Sequence, residues 1–318
     1  MSETRRKYTF GPVPSRRLGL SLGVNNIPFK HCSYSCIYCQ AGETINLIID
    51  RREFYDPYEI SSEVINVVDK LEKKPDYITF VPDGEPTLDI NLGKEAELIK
   101  ESINIPLAIL TNSSLLYRDD VRRDLMIFDL VSLKIDTVYE QTFKKINRPH
   151  KELSLKRILE GIVIFSDEYK GTIITETMLV ADVNTHVKEY LGIAEFLKKI
   201  KVSRAYIMIP TRPPALKWVK PPADNEVITA YDVFVEKLGR DKVYLTTSYE
   251  GTGFVVSSRD FINEIMNIIS VHPLRLDYFE ELARQKRIDP KKILDMVLKQ
   301  GLVELVEYGE HKFLVKKR

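Results

Sequence analysis

The chain has 318 residues, 44% hydrophobic and 29% charged, with a formal net charge of +1. That balance excludes a mostly disordered chain and excludes a global field able to hold nucleic acid or an anionic membrane. The length is a prior for about two domains, and no apolar run approaches the ~18 residues that a membrane span needs.

Residues 1–19 read as basic and irregular, with Gly11-Pro12-Val13-Pro14 among them. Arg5, Arg6 and Lys7 precede no apolar run, so no secretory signal is expected and the cytoplasm is the predicted compartment. A short strand is expected near Leu20–Ile27, then a cysteine loop over about 29–42. Asp56 is a helix cap, Pro57 fits the first turn, and Ile60, Val64, Val67, Val68 and Leu71 recur at helical spacing. From there strands and helices alternate. Strands are predicted at 77–81, 107–110, 130–135, 172–180, 205–209 and 243–245. Helices are predicted at 93–101, 118–125 and 155–165, from a cap at Asn184 to about Lys199, and from a cap at Asp224 to Gly239. Such alternation implies right-handed crossovers and a mostly parallel sheet. About six units fit an incomplete, TIM-like (βα)6 barrel over residues 1–250, with an open doubly wound sheet as the alternative. In either fold the active face lies at the C-terminal strand ends.

Tyr249–Gly253 is an expected hinge. Beyond it, helices at about 259–269, 276–285 and 290–300 and a hairpin around Gly309 resemble a winged helix-turn-helix domain over 257–318. Asp289 caps its third helix and Gly301 ends it.

All three cysteines lie within one short stretch, Cys32, Cys36 and Cys39. An odd, tightly grouped set without a secretory signal argues against a disulfide scaffold and for a metal site. Three thiolates satisfy three irons of a 4Fe–4S cube and leave the fourth open, which is the mark of a chemically active site. A structural zinc site completed by His31 or another histidine is the competing reading. His31 is adjacent to Cys32, a poor spacing for chelating the same ion.

Cys32-Ser33-Tyr34-Ser35-Cys36-Ile37-Tyr38-Cys39 resembles the signature of the radical S-adenosylmethionine (radical SAM) superfamily, including the aromatic Tyr38 before the third cysteine. The flanking Gly11–Gly19 and Ile27–Lys30 text resembles the branch of wyosine-synthetase-like Fe–S oxidoreductases. The resemblance implies that Cys32, Cys36 and Cys39 hold a 4Fe–4S cluster whose open iron binds SAM. One electron then cleaves SAM to methionine and a 5′-deoxyadenosyl radical that abstracts a substrate hydrogen. It implies an external reductant such as ferredoxin or flavodoxin. It also implies that Asp83-Gly84-Glu85-Pro86 receives the SAM amino group, that Thr111 and Asn112 lie near its ribose or carboxylate, and that Ser132 contacts ribose hydroxyls. Glu176 lies on the strand where the family places adenine and ribose contacts.

Lys134 alternates onto the same side as Ser132, and an inward lysine needs an anion. The SAM carboxylate, a substrate acid or neighbouring Glu176 would each serve. Arg148 and Arg212 are candidate substrate clamps. The segment Ile209–Pro214, with the only Trp, Trp218, in the loop after it, is a candidate substrate wall. Arg16, Arg17, Lys30, Arg51 and Arg52 flank the cysteine loop and complete a basic rim. That rim points to an anionic substrate, with RNA favoured and a peptide or metabolite as alternatives. The opposing class is a metal- or cluster-containing winged-helix regulator that binds DNA.

Overall fold

In the computed structural model, which describes residues 8–246, 261–271 and 273–317, the chain opens with an antiparallel hairpin of β1 (Thr9–Ser15) and β2 (Gly19–Val24). The expectation of an irregular start is corrected here. Two prolines hide the strand in sequence, but β1 is an edge strand with a register shift between Phe10 and Val13, where missing N–H donors are tolerated. Two short strands, β3 (His31–Cys32) and β4 (Asn46–Leu47), pair with each other and frame the cysteine loop.

Helix α1 (Pro57–Lys70) follows, its first turn closed by the Asp56 carboxylate accepting from the Tyr58 N–H. The alternation continues as β5 (Tyr77–Phe80), α2 (Leu92–Ser102), β6 (Leu107–Thr111), α3 (Asp119–Leu125) and β7 (Leu130–Lys134). Next come α4 (Glu140–Ile146), α5 (Leu155–Glu168), β8 (Thr172–Met178), α6 (Val187–Leu197), β9 (Val202–Met208), α7 (Asp224–Leu238) and β10 (Val243–Thr246). Helix α4 has no counterpart in the sequence reading, because only Phe143 and Ile146 of its seven residues are buried.

The sheet has eight strands in the order β1-β2-β5-β6-β7-β8-β9-β10, and every pair from β2 onwards is parallel. Strand order follows chain order without a reversal, so the sheet is a half-barrel rather than a doubly wound sheet, and all strand C-termini point to one face. Buried Leu22, Ile78, Phe80, Ile109, Val131, Leu133 and Ile207 belong to the principal core, with helix residues such as Val64, Ile99, Ile162 and Ile193 packed against them. Asn184 does not cap α6, which starts after His186. Its amide instead bridges the Asp136 and Met178 carbonyls and the Val180 N–H, pinning the chain just past β8.

The C-terminal part has its own core, formed by Phe261, Ile265, Ile268, Phe279, Leu282, Val297 and Leu314. It comprises α8 (Phe261–Val271), β11 (Leu274–Arg275), α9 (Leu276–Gln285), α10 (Pro290–Lys299), β12 (Val303–Tyr308) and β13 (His311–Lys316), with sheet order β11-β13-β12. Val13 of β1 packs against this core. The expected hinge at 249–253 lies outside the described residues. No helix among the described residues is long and apolar enough to cross a membrane.

Candidate active site

The cysteine loop is strapped by backbone bonds at both flanks. The Ser35 N–H donates to the Asn147 carbonyl at 3.0 Å, Ile37 N–H to Ile146 at 3.0 Å, and His150 N–H to Ser33 at 2.9 Å. On the other side the Glu85 N–H donates to the His31 carbonyl at 3.0 Å. The turn after β5 presses so closely on the loop that a Cβ at Gly84 would stand 2.0 Å from that same carbonyl oxygen. Only glycine fits there.

These straps set one wall of a cavity of about 310 Å³ inside the half-barrel. Cys32, Cys36, Tyr38 and Cys39 line it, as do Asp83, Gly84, Lys134, Glu176 and Arg212. Five cations (Arg16, Arg17, Lys30, Lys134, Arg212) face two carboxylates, Asp83 and Glu176, so the lining is basic although the chain is nearly neutral. Of the sequence-predicted residues, Glu85, Pro86, Thr111, Asn112, Ser132 and Arg148 do not line the cavity.

Several of these act one layer back. The buried Glu85 carboxylate accepts from the Thr87 N–H (3.1 Å), the Thr87 hydroxyl (2.6 Å), the Thr111 hydroxyl (2.6 Å) and the Asn112 N–H (2.7 Å). It ties the end of β5 to the end of β6. Burial nonetheless holds it above the usual carboxylate range. Glu176 accepts from the Ser132 hydroxyl at 2.7 Å and from Lys134 Nζ at 3.4 Å, and forms an ion pair with Arg17. Burial would raise its pKa, but Arg17 and Lys134 outweigh it and bring it down to about 2. Lys134 also lies 5.2 Å from the centre of the Tyr38 ring. Of the anions weighed for Lys134, the neighbouring carboxylate is the one it meets.

Each cysteine sulfur receives a side-chain N–H donor from a different part of the chain, and the Tyr34 backbone N–H also serves Cys32 while the Tyr38 hydroxyl serves Cys36. Lys30 Nζ stands 3.3 Å from Cys39 Sγ, Asn112 Nδ2 3.5 Å from Cys32 Sγ, and Asn147 Nδ2 3.5 Å from Cys36 Sγ. Asn112 also donates to the Ser33 hydroxyl at 2.8 Å, and Asn147 to Asp136 at 2.8 Å. Burial pushes the Cys32 and Cys36 thiols up to about 12, with Glu85 adding to the first and Asp136 to the second.

The rim is less uniform than the sequence implies. Arg51 is buried and bonded to the Thr87 and Asp89 carbonyls and to Asp120 and Asp124, so it is a structural anchor. Arg148 pairs with Glu43 at 3.7 Å at the exposed edge of the loop. Arg212 is buried and donates to Gln40 Oε1 at 3.0 Å, inside the cavity wall. Asn147 was missed as a sulfur neighbour because it lies 111 positions from Cys36 and carries no local motif.

Residues 26–197 match the family profile described as the Radical SAM superfamily. The UPF0026 protein MJ1312 of Methanocaldococcus jannaschii is 47% identical, the match covering 96% of this chain and 95% of that one. A radical SAM methyltransferase from Sphaerobacter thermophilus has a similar fold, with a TM-score of 0.54 at 11% identity over 72% of this chain and 67% of its own. Streptococcus suis SuiB, solved bound to S-adenosylmethionine, has a TM-score of 0.50 at 15% identity over 70% of this chain and 49% of its own. The parallel half-barrel, the cysteine loop at its C-terminal face and the match across that region together place the chain in the radical SAM superfamily, in the branch of the UPF0026 proteins, as a radical SAM enzyme that uses a 4Fe–4S cluster and S-adenosylmethionine.

Proposed function

We propose that Cys32, Cys36 and Cys39 hold the 4Fe–4S cluster, that SAM occupies the adjoining cavity, and that the substrate is an anion drawn in by the basic lining. The donor set fits. Three soft sulfurs on one strapped loop face one cavity, and the chain has no fourth cysteine to close a cube. Among the described residues no three His, Cys, Asp or Glu side chains converge on a single-ion position. Thiolates that each bind a different iron need no such convergence.

When bound, the cluster and SAM supply the electron and the 5′-deoxyadenosyl radical of the family's chemistry. The chain's own residues bind, orient and exclude water. Tyr38 and Gly84 wall the cavity beside the sulfurs, and the Asp83 carboxylate and the backbone oxygens of the 83–84 turn are acceptors suited to an ammonium. Glu85, Thr111 and Asn112 hold that turn in place from behind, a positioning role rather than direct contact. Lys134 and Arg17 keep Glu176 ionised at the cavity wall, where it can accept from ribose hydroxyls.

Arg212 and Arg16 lie on the cavity lining and suit a carboxylate or phosphate. RNA is the favoured source of that anion. The order of helices and strands in the C-terminal part fits a winged helix, and the Tyr308 hydroxyl near its hairpin tip donates to the Pro210 carbonyl at 3.1 Å. That contact sits on a segment lining the cavity, so the C-terminal part is suited to present substrate there. The DNA-binding regulator finds no support, since the cysteines serve an enzyme cavity rather than a separate binding module.

The excess of cations on a cavity that also holds all three sulfurs is the observation that carries this reading. Anaerobic reconstitution with iron and sulfide, then dithionite and SAM, should yield 5′-deoxyadenosine, and the RNA fraction of a cell extract should raise that yield more than the protein or metabolite fractions. A reducible cluster that never cleaves SAM would sink the assignment. Stimulation by a cationic fraction alone would sink the anionic substrate.

A further inference from the structure

Lys30 belongs to the basic rim expected from the sequence, yet the fold buries it beside the sulfurs. It is 2% exposed, it sits at φ 57° in the left-handed region that favours glycine, and it is two positions before the first cysteine. Its backbone is fixed at both ends: the N–H donates to the Asp83 carbonyl at 3.2 Å, and its carbonyl accepts from Ile45 and Asn46 at 3.2 and 3.1 Å. From that fixed backbone the buried side chain runs to Cys39, its Nζ 3.3 Å from Sγ. A buried ammonium is costly without an anion beside it. The Cys39 sulfur, a thiolate whenever it ligates a cluster, would be that anion.

The other two sulfurs receive neutral amides, Asn112 on Cys32 and Asn147 on Cys36. The donors are thus unequal: a full charge at Cys39, and neutral dipoles at Cys32 and Cys36, where the Tyr34 N–H and the Tyr38 hydroxyl add to the amides. Reduction adds one electron to a cluster. A fixed positive charge beside a ligand sulfur stabilises the reduced form by Coulomb attraction in a low-dielectric site, and hydrogen bonds to sulfur act in the same direction more weakly.

We propose that Lys30 sets the reduction potential of the cluster, raising it towards what an external one-electron donor can supply, with Asn112 and Asn147 adding smaller contributions of the same sign. The inference rests on the cluster assignment above. It needs no change of protonation, only the presence of the charge.

The test is an EPR-monitored redox titration of reconstituted enzyme without SAM, on wild type, Lys30→Met, Lys30→Gln, Lys30→Arg and Asn147→Leu. Both neutral Lys30 variants should be harder to reduce by about tenfold or more, which is about 59 mV per tenfold for a one-electron couple. Lys30→Arg should stay close to wild type, and Asn147→Leu should move in the same direction by less. Unchanged or raised midpoints in both neutral variants would overturn the proposal, as would an Asn147→Leu shift equal to theirs. Loss of the cluster from both neutral variants would also overturn it, because Lys30 would then be an assembly residue. A wild-type protein that takes up no reducible cluster would instead break the cluster assignment itself.

Discussion

The half-barrel interior and the C-terminal part solve burial in opposite ways. The C-terminal core is almost wholly apolar, with the polar faces of α9 and α10 left to water. The half-barrel region buries Asp83, Glu85, Ser132, Asp136 and Glu176 about its strand ends, and Asp89 and Glu95 at the start of α2. A buried carboxylate costs several kcal/mol unless donors surround it, so that concentration marks where rigidity of position has been favoured over stability. The difference teaches where substitutions should be felt as chemistry and where only as packing.

The sharpest way to break that contrast is Cys36→Ala. It removes one of three thiols that share one loop, and cluster content by iron and sulfide analysis should fall to background while far-UV circular dichroism is retained. A variant that still assembles a full cluster would dissolve the special status of the barrel face. Glu85→Ala comes next. Four donors lose their acceptor at a buried site, which should cost about 3 kcal/mol of stability and weaken SAM binding by letting the 83–87 turn shift. Denaturant unfolding and calorimetry of SAM binding measure the two effects separately. Unchanged SAM affinity would show that the turn does not depend on its rear support.

The buried pair Asp89 and Glu95 sharpens the contrast through pH. Desolvation raises both carboxyls, Asp89 to about 7, and they are hydrogen-bonded to each other, so the folded pair retains a proton. The unfolded chain releases it above about pH 4. Stability should therefore decline as pH rises from there through about 7. Thermal melts between about pH 5 and about pH 8 should show the slope in wild type and a flatter profile in Glu95→Gln. An equal slope in both would assign the effect elsewhere. The smallest expected effect belongs to the junction of the two regions. Tyr308→Phe removes one hydrogen bond to the Pro210 carbonyl and should cost about 1 kcal/mol or less. It should leave substrate-free SAM cleavage intact, read as 5′-deoxyadenosine formed.

Much of the architecture was legible because parallel strands are buried on both faces and read as short apolar runs. Leu107–Leu110 and Leu130–Leu133 could be little else once helices flanked them. Strand β1 was not, since its prolines argue against any strand until the sheet edge is known. The cysteine loop was legible through spacing alone. Its surroundings were not: the amides at the sulfurs come from Asn112 and Asn147, 80 and 111 positions away from the cysteines they meet. Arginines were the least readable. Arg51 and Arg52 are neighbours, yet one is a buried anchor and the other an exposed side chain beside Phe54. Composition alone does not separate them, because each outcome depends on which carbonyls and carboxylates the fold brings near.

The hairpin at the start of the chain has a topological effect. Its turn carries Arg16, whose guanidinium donates at 3.1 Å to the carbonyl of Thr246 on β10, the strand at the opposite edge of the sheet. A half-barrel with two free edges would be a trough. Latched from first strand to last by Arg16, with Arg17 of the same turn reaching Glu176 on β8 and Met208 on β9, it becomes a cup with a clasp, and a polymer chain lying along the trough would have to unfasten it. A single residue or nucleotide, offered end-on from above, would not.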